Sequence, residues 1–350
     1  MTTERLNAPL RIWALLGARA GDNDQVIALA EALGLPFEIK QVEYNRLHSL
    51  GPRLLGHSLV SLTRKSRAQM LSERPPDLTI SAGHRSVPLV LALRRRSADR
   101  MRSIHIGFPR ISPAHFDLVI ATPQYPIPDH PNLLRVPYAL TRAATMQADP
   151  LDTAGIGALP APRRLLIVGG PTLYWKIDEG ALLGTLSAIL GEARSGGGSA
   201  LVTTSPRTPA ALKRRIAAAL KASNVPSILA EPKRSPGYAS LLAGADSIRI
   251  TADSVAMVSD AIWTGKPVGL IPVTKSALGR AAFALMDFVR PGKRIYPQDL
   301  RFFWRALTNA GVTEHLAAPT TSTEDEMRTV LDRAQAISMF GQENGGRGKD

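Results

Sequence analysis

The sequence predicts an α/β protein built from two Rossmann-like domains, each carrying a parallel sheet, that face one another across a cleft. Three observations lead there. Short apolar runs alternate with longer amphipathic stretches along the whole chain. The strand-like runs are continuously apolar, as parallel strands covered on both faces must be. The alternation falls into two series split by the Pro-, Ala- and Gly-rich segment DPLDTAGIGALPAP at 149–162, and 350 residues suit two domains better than one.

In the first series, RIWALLG (11–17), FEIKQV (37–42), DLTISA (77–82), SIHIG (103–107) and DLVIA (117–121) are the expected strands. Helical patterns at 23–33, 53–71 and 86–98 lie between the first four. The second series has strands RRLLIVGG (163–170), SALVTT (199–204), PSILA (226–230), SIRIT (247–251) and PVGLIPV (267–273). Helical stretches at 178–194, 208–223, 253–264 and 276–290 separate them. The expected organisation is a first domain over 1–148, a linker over 149–162, a second domain over 163–340 and a disordered polar tail over 341–350. The helical pattern at 324–340 is open to packing on either domain.

Composition excludes several classes. With 44% hydrophobic and 21% charged residues, disorder cannot be the main state. The absence of cysteine removes disulfides, thiolate metal sites and cysteine nucleophiles. The seven histidines are scattered without ligand spacing, and no metal or other cofactor is expected. No apolar run approaches the roughly 18 residues of a spanning helix, and MTTERLNAPL lacks a signal peptide's layout. A cytoplasmic location is the expectation.

The formal charge of +14 is concentrated. Residues 45–115 hold thirteen Lys and Arg against Glu73, Asp77 and Asp99. Such a stretch attracts nucleic acid, anionic lipid headgroups or phosphorylated substrates. Without interleaved aromatics, nucleic acid is the poorest of these. PRLLGHSLVSLTRKSRAQML (52–71) reads as one helix with Leu54, Leu55, Leu59 and Leu62 near one side and Arg53, Arg64, Lys65 and Arg67 supplying charge. It is either a crossover helix packed on the sheet or a peripheral attachment to the inner face of the cytoplasmic membrane, and one helix can be both.

In open parallel sheets ligands bind at the carboxyl ends of the strands, so the following loops supply the candidates. In GARAGDNDQ (17–25), Gly21 allows close backbone approach. Asp22 is either an N-cap completed by Gln25 as a capping box or a general base for an acceptor hydroxyl. In SAGHRSVPL (81–89), His84 is a second base candidate and Arg85 a phosphate holder; the alternative is a loop hydrogen bond and a solvated charge. His105 and Arg110 offer less in the next loop. In the second series, Gly169 and Gly170 let backbone amides approach an anion. TTSPRTP (203–209) offers Ser205 and Arg207, unless Ser205 merely caps a helix. Thr251, Asp253 and Ser254 open a helix whose free N–H groups and dipole suit a diphosphate, with Asp253 more a cap than a ligand. Asp260, two turns on and off the core stripe, is either a ribose ligand or a solvated carboxylate. Lys266 follows in a tight return.

GDNDQ, GHRSVP, FDLVIATP (116–123), LLIVGGPT, TTSPRTP and TADSVAMVSDAIWTGKPV occur in an order and spacing that resemble the bacterial family related to the plant mitochondrial-fission (elongated mitochondria) protein, over about residues 10–310. Members resemble GT-B glycosyltransferases and are often labelled nucleoside-diphosphate-sugar epimerases. This chain differs at Asp260, where members usually carry Glu, and at Pro206, where they carry a second arginine. SPGY (235–238) stands for an Asn-Pro-Tyr, and PQYP (123–126) for a Pro-x-His-Asp. Short-chain epimerase chemistry is not expected, because GARAGD is no dinucleotide fingerprint and no tyrosine has a lysine four residues on.

The resemblance implies a metal-independent glycosyltransferase. The second domain would hold a nucleotide-sugar donor through Gly169, Gly170, Ser205, Arg207, Thr251, Asp253, Ser254, Asp260 and Lys266. The first would present a lipid-linked or glycolipid acceptor to Asp22 or His84, beside Gly21 and Arg85. The alternatives are a non-catalytic, membrane-associated interaction protein and an epimerase of GT-B fold.

Overall fold

A computed structural model describes residues 10–143, 146–232 and 234–343, with side chains described as far as Ser338. The chain divides into two compact units: residues up to Leu140 together with those from Glu324 onward, and Thr141–Thr323.

In the first unit, β1 (Ile12–Leu16) leads into α1 (Ala20–Ala32), then β2 (Phe37–Gln41), the short α2 (Pro52–Leu55), α3 (Arg64–Ser72) and β3 (Leu78–Ala82). There follow α4 (Val87–Arg96), β4 (Arg102–Ile106), β5 (Leu118–Ala121) and β6 (Leu133–Arg135). The six strands are parallel in the order β2-β1-β3-β4-β5-β6. Every residue of β1 and β5 is buried, which requires cover on both faces and explains their unbroken apolar sequence. One core gathers Trp13, Leu15, Leu89, Leu93, Met101 and Phe116.

The second unit begins with α5 (Pro150–Gly157) and β7 (Arg163–Val168), continuing through β8 (Trp175–Ile177), α6 (Glu179–Gly196), β9 (Ser199–Thr204) and α7 (Ala210–Ser223). Next come β10 (Ser227–Ala230), α8 (Tyr238–Gly244), β11 (Ser247–Thr251), α9 (Val255–Trp263), β12 (Val268–Ile271) and β13 (Val273–Lys275). The unit ends with α10 (Ala277–Val289) and α11 (Leu300–Asn309). Its main sheet is parallel, ordered β10-β9-β7-β11-β12, with β13 and β8 as a small antiparallel pair. Residues from α6, α7, β7 and β9 form one core, and Trp175, Phe283, Ile295 and Leu300 a second.

Three expectations are corrected. Residues 149–162 are not a plain linker. Asp149 caps α5 through the amide of Leu151 at 2.8 Å, Pro150 occupies the tolerant first position, and α5 packs on α8 through Ile156, against which Gly244 lies so closely that a Cβ there would be 2.5 Å away. The expected second domain reaches too far. The last helix, α12 (Thr323–Glu343), belongs from Glu324 onward to the first unit; Val330 and Ala334 are fully buried, and Arg333 donates to the Pro131 carbonyl at 2.8 Å. The helix expected over 53–71 is two pieces. Gly56 has φ +53°, so the chain turns after α2 and restarts at Thr63, whose hydroxyl caps α3. Of the expected disordered tail, 341–343 are helical and 344–350 lie outside the described residues.

Candidate functional site

In the first sheet β1 lies between β2 and β3, so the connections after β1 and β3 leave in opposite directions and open a crevice at the strands' carboxyl ends. A small, open pocket occupies that place. Its lining includes Arg19, Asp22, Tyr44, Gly83, His84 and Arg85.

Local sequence builds it rigidly. Asn23 clamps the turn after β1, accepting from the Gly17 amide at 2.8 Å and donating to the Gly17 carbonyl at 2.9 Å. The first position before α1 is Arg19, which makes no side-chain capping bond. Asp22 is therefore not the N-cap expected; it stands in the helix's first turn, and Gln25 bonds the Gly21 carbonyl instead of completing a capping box. On the other side Gly83 adopts φ +70°, and a Cβ there would lie 2.8 Å from Asp22 Oδ2. Only glycine lets the loop come so close to that carboxylate. Ser86 ties the loop down by donating to the carbonyls of Ala82 and Gly83.

Burial raises the Asp22 carboxyl above its ordinary range, with Arg19 and Arg85 partly opposing it. His84 is pushed down to about 4, first by burial and then by Arg110, Arg19 and Arg85, so its ring is neutral at pH 7. Tyr44 is held as the neutral phenol by burial, with the Asp22 charge adding to the effect. Asp22 and His84 thus both line this pocket, and Asp22 is the group whose carboxylate is tuned toward accepting a proton. His105 stands elsewhere. It is fully buried in β4, its Nδ1 3.0 Å from Ser81 Oγ and its ring against Phe116, and burial pushes it down to about 3.

The sequence reading passed over Arg19, Asn23 and Tyr44. Arg19 and Asn23 lie inside the segment it considered. Tyr44 follows β2 and so stands at the carboxyl end of that strand, where parallel sheets bind ligands.

In the second unit β7 lies between β9 and β11, which makes the loops after β7 and β11 the corresponding place. These loops meet, but chiefly by bonding each other. The Gly169 amide donates to Thr251 Oγ1 at 2.7 Å and the Gly170 amide to Asp253 Oδ2 at 3.0 Å, while Thr251 donates to Asp253 Oδ1 at 2.7 Å. Arg207 pairs with Asp253 at 3.2 Å and donates to the carbonyls of Gly170 and Pro171. Ser205 accepts from the Arg207 amide at 3.2 Å. The anion cradle expected at Gly169 and Gly170 is therefore filled from within. The glycines admit the Asp253 carboxylate and the Arg207 backbone, which a Cβ would meet at 2.1 and 2.5 Å.

Two further residues have internal partners in place of the expected ribose and diphosphate. Asp260 accepts from the Thr141 hydroxyl and lies against Tyr238, whose phenol it helps to keep protonated. Lys266 donates to the last carbonyls of α8, Leu242 at 2.6 Å and Ala243 at 2.7 Å; it precedes β12, at the amino ends of the strands. What faces outward is the first turn of α9, half-buried and capped by Ser254 with a long 3.5 Å bond to the Met257 amide. Among the described residues no cluster of three or more metal-ligating side chains occurs, and no helix is long and apolar enough to cross a membrane.

Known proteins resemble this chain in fold and, over much of its length, in sequence. UDP-GlcNAc 2-epimerase from Methanocaldococcus jannaschii superposes with a TM-score of 0.50 at 14% identity, covering 93% of this chain and all of that one. The likeness is one of fold: an α/β chain with parallel sheets. An uncharacterised protein of Rickettsia prowazekii (strain Madrid E) is 24% identical over 296 residues, 74% of this chain and 82% of that protein. The mitochondrial fission protein ELM1 of Arabidopsis thaliana is 27% identical over 244 residues, 61% of this chain and 54% of that protein, so the match spans about half the plant protein's length. The family model for mitochondrial fission ELM1 matches residues 20–293, and with that match over most of its length the chain belongs to the mitochondrial fission ELM1 family.

Proposed function

We propose that this chain is a glycosyltransferase of the GT-B kind, moving a sugar from a nucleotide-sugar donor held by the second unit to an acceptor hydroxyl held in the Asp22 pocket. The observation that carries the reading is Asp22 itself, a carboxylate raised by burial at the switch point of a parallel sheet. In the transfer, the acceptor O–H gives its proton to Asp22, the freed oxygen bonds to the anomeric carbon, and the bond from that carbon to the diphosphate breaks. The nucleoside diphosphate leaves with the electron pair. The Ser254 end of α9 offers amides and the positive end of a helix dipole to that leaving charge. Nucleotide-sugar use by a protein of similar fold, named as a UDP-GlcNAc epimerase, supports the donor class. The test is a thermal-shift screen against UDP-, GDP-, dTDP- and CMP-sugars, followed by an assay for released nucleoside diphosphate. Stabilisation by one donor is expected; none by any donor overturns the reading.

The internal bonding of Gly169, Gly170, Asp253 and Asp260 favours a second reading, a non-catalytic interaction protein whose donor loops have become structural. It predicts no nucleotide-sugar binding at all. An epimerase is the third outcome, recognised by a changed sugar without release of the nucleotide.

The finer part of the proposal concerns the acceptor, which we place on an anionic lipid surface at the cytoplasmic face of the membrane. Its support is the stretch at 46–65, where Leu47, Leu50, Leu54 and Val60 are exposed alongside exposed Arg46, Arg53, Arg64 and Lys65. Apolar side chains standing in water among cations suit anionic headgroups.

A further inference from the structure

The Asp22 pocket carries more positive charge than a base and a neutral hydroxyl require. Arg19 and Arg85 line it, and Arg110 is near enough to act on His84. Among its described lining residues the one carboxylate is Asp22. Arg85 Nε is buried without a hydrogen-bond partner, so part of its guanidinium has lost water and gained nothing in return. The amino end of α1, a helix of 13 residues with no side-chain cap, contributes Arg19 and Asp22 to the same lining, and the positive end of its dipole favours an anion there. His84 is neutral there, and its ring can donate one hydrogen bond without contributing charge.

We propose that this pocket is a phosphate-binding site, with Arg85, Arg19 and the first-turn amides of α1 receiving the oxygens of a phosphomonoester or diphosphate. The charges agree with such a ligand: Arg19 and Arg85 line the pocket against the single Asp22 carboxylate, which leaves net positive charge for an oxyanion. Arginine forks and helix amino ends are the two groups best shaped for that oxyanion. Identifying the phosphate as part of the acceptor, so that sugar is transferred to a phosphorylated molecule, rests on the glycosyl-transfer reading; the site itself does not.

The experiment is isothermal titration of the full chain with inorganic pyrophosphate in the absence of any donor. Binding is expected, weakened at least tenfold in Arg85→Gln and in Arg19→Gln and largely kept in Arg85→Lys. Asp22→Asn should bind several-fold more tightly, because it removes the one opposing carboxylate; a diffuse basic surface would not respond so. Arg95→Gln, exposed at the end of α4, should bind as the unaltered chain does. Melting curves for each variant separate lost binding from lost folding. Titrations with a soluble sugar phosphate and with vesicles containing phosphatidic acid then separate a free from a lipid-borne phosphate, and binding to either supports the site. No pyrophosphate binding, or equal affinity in Arg85→Gln, Arg19→Gln and Arg95→Gln, overturns it. Phosphate binding without turnover of any nucleotide sugar leaves the site standing and removes the transferase reading.

Discussion

Asp22 shows how one residue's backbone position decides its chemistry. As an N-cap it would be held by the helix and stabilise the fold. In the first turn of α1, pressed against Gly83, it makes no capping bond, and burial makes its charge costly. The sign follows. A carboxyl whose folded pKa lies above its unfolded value contributes stability below the unfolded pKa, and that contribution is lost as pH rises through the folded pKa. Asp22→Asn should therefore leave the melting temperature at pH 7 unchanged or slightly higher, while turnover falls by about a hundredfold or more. The acid limb of kcat/KM in the unaltered chain should lie above the ordinary Asp value of about 4. A limb at the ordinary value, or activity surviving in Asp22→Asn, would make Asp22 structural and leave His84 as the base to test.

At the level of elements, the loops after β7, β9 and β11 act as one cross-bonded unit. Gly170→Ala would drive a Cβ to 2.5 Å from the Arg207 backbone, which cannot move without breaking the Arg207–Asp253 pair. A loss of about 2 kcal/mol or more in urea unfolding is expected; a loss below about 0.5 kcal/mol would show that the loops are not locked together. These loops also mark where the sequence stops being legible. The parallel strands announce themselves, because burial on both faces leaves only apolar residues at β1, β5, β12 and the Leu165–Val168 part of β7. A Gly-Gly pair after a strand announces a close approach, but not what approaches. Here it is the protein's own Asp253 and Arg207, and pairing between residues 83 and 37 positions apart leaves no trace in local pattern. Lys266 failed for a similar reason: a lysine in a tight return reads as available, and only the placement of α8 supplies the carbonyls that take it. The break between α2 and α3 was hidden because Leu54, Leu55, Leu59 and Leu62 keep helical spacing across Gly56, and a positive φ is what splits them. In the first unit the sequence could bring Asp22, His84 and Arg85 to one pocket because each lies in the first residues of the connection that leaves a strand's carboxyl end.

Across the whole molecule, charge is distributed unevenly, and the net of +14 is dominated by the stretch from 45 to 115. Ion pairs with Asp117 engage Arg94 and Arg102, and Arg96 donates to backbone carbonyls of Met70, Leu71 and Glu73. By contrast Arg46, Arg53, Arg64 and Lys65 are exposed in the same stretch of chain as Leu54, which is 78% exposed. Near an anionic headgroup layer each such cation contributes about 1 kcal/mol, so four of them suffice for reversible attachment at low ionic strength. That attraction is screened as the Debye length falls from about 10 Å at 0.1 M salt to about 3 Å at 1 M. Co-sedimentation with phosphatidylglycerol vesicles should accordingly be strong at low salt and weak at high salt, with little binding to phosphatidylcholine vesicles. Leu54→Glu should reduce it by removing an inserting side chain and adding a repelled charge, without loss of stability, because the native side chain packs on little. Equal binding to both vesicle types, or none to the anionic ones at low salt, removes the lipid surface from the proposal and leaves a soluble acceptor, while the phosphate site in the Asp22 pocket stands or falls on its own titration.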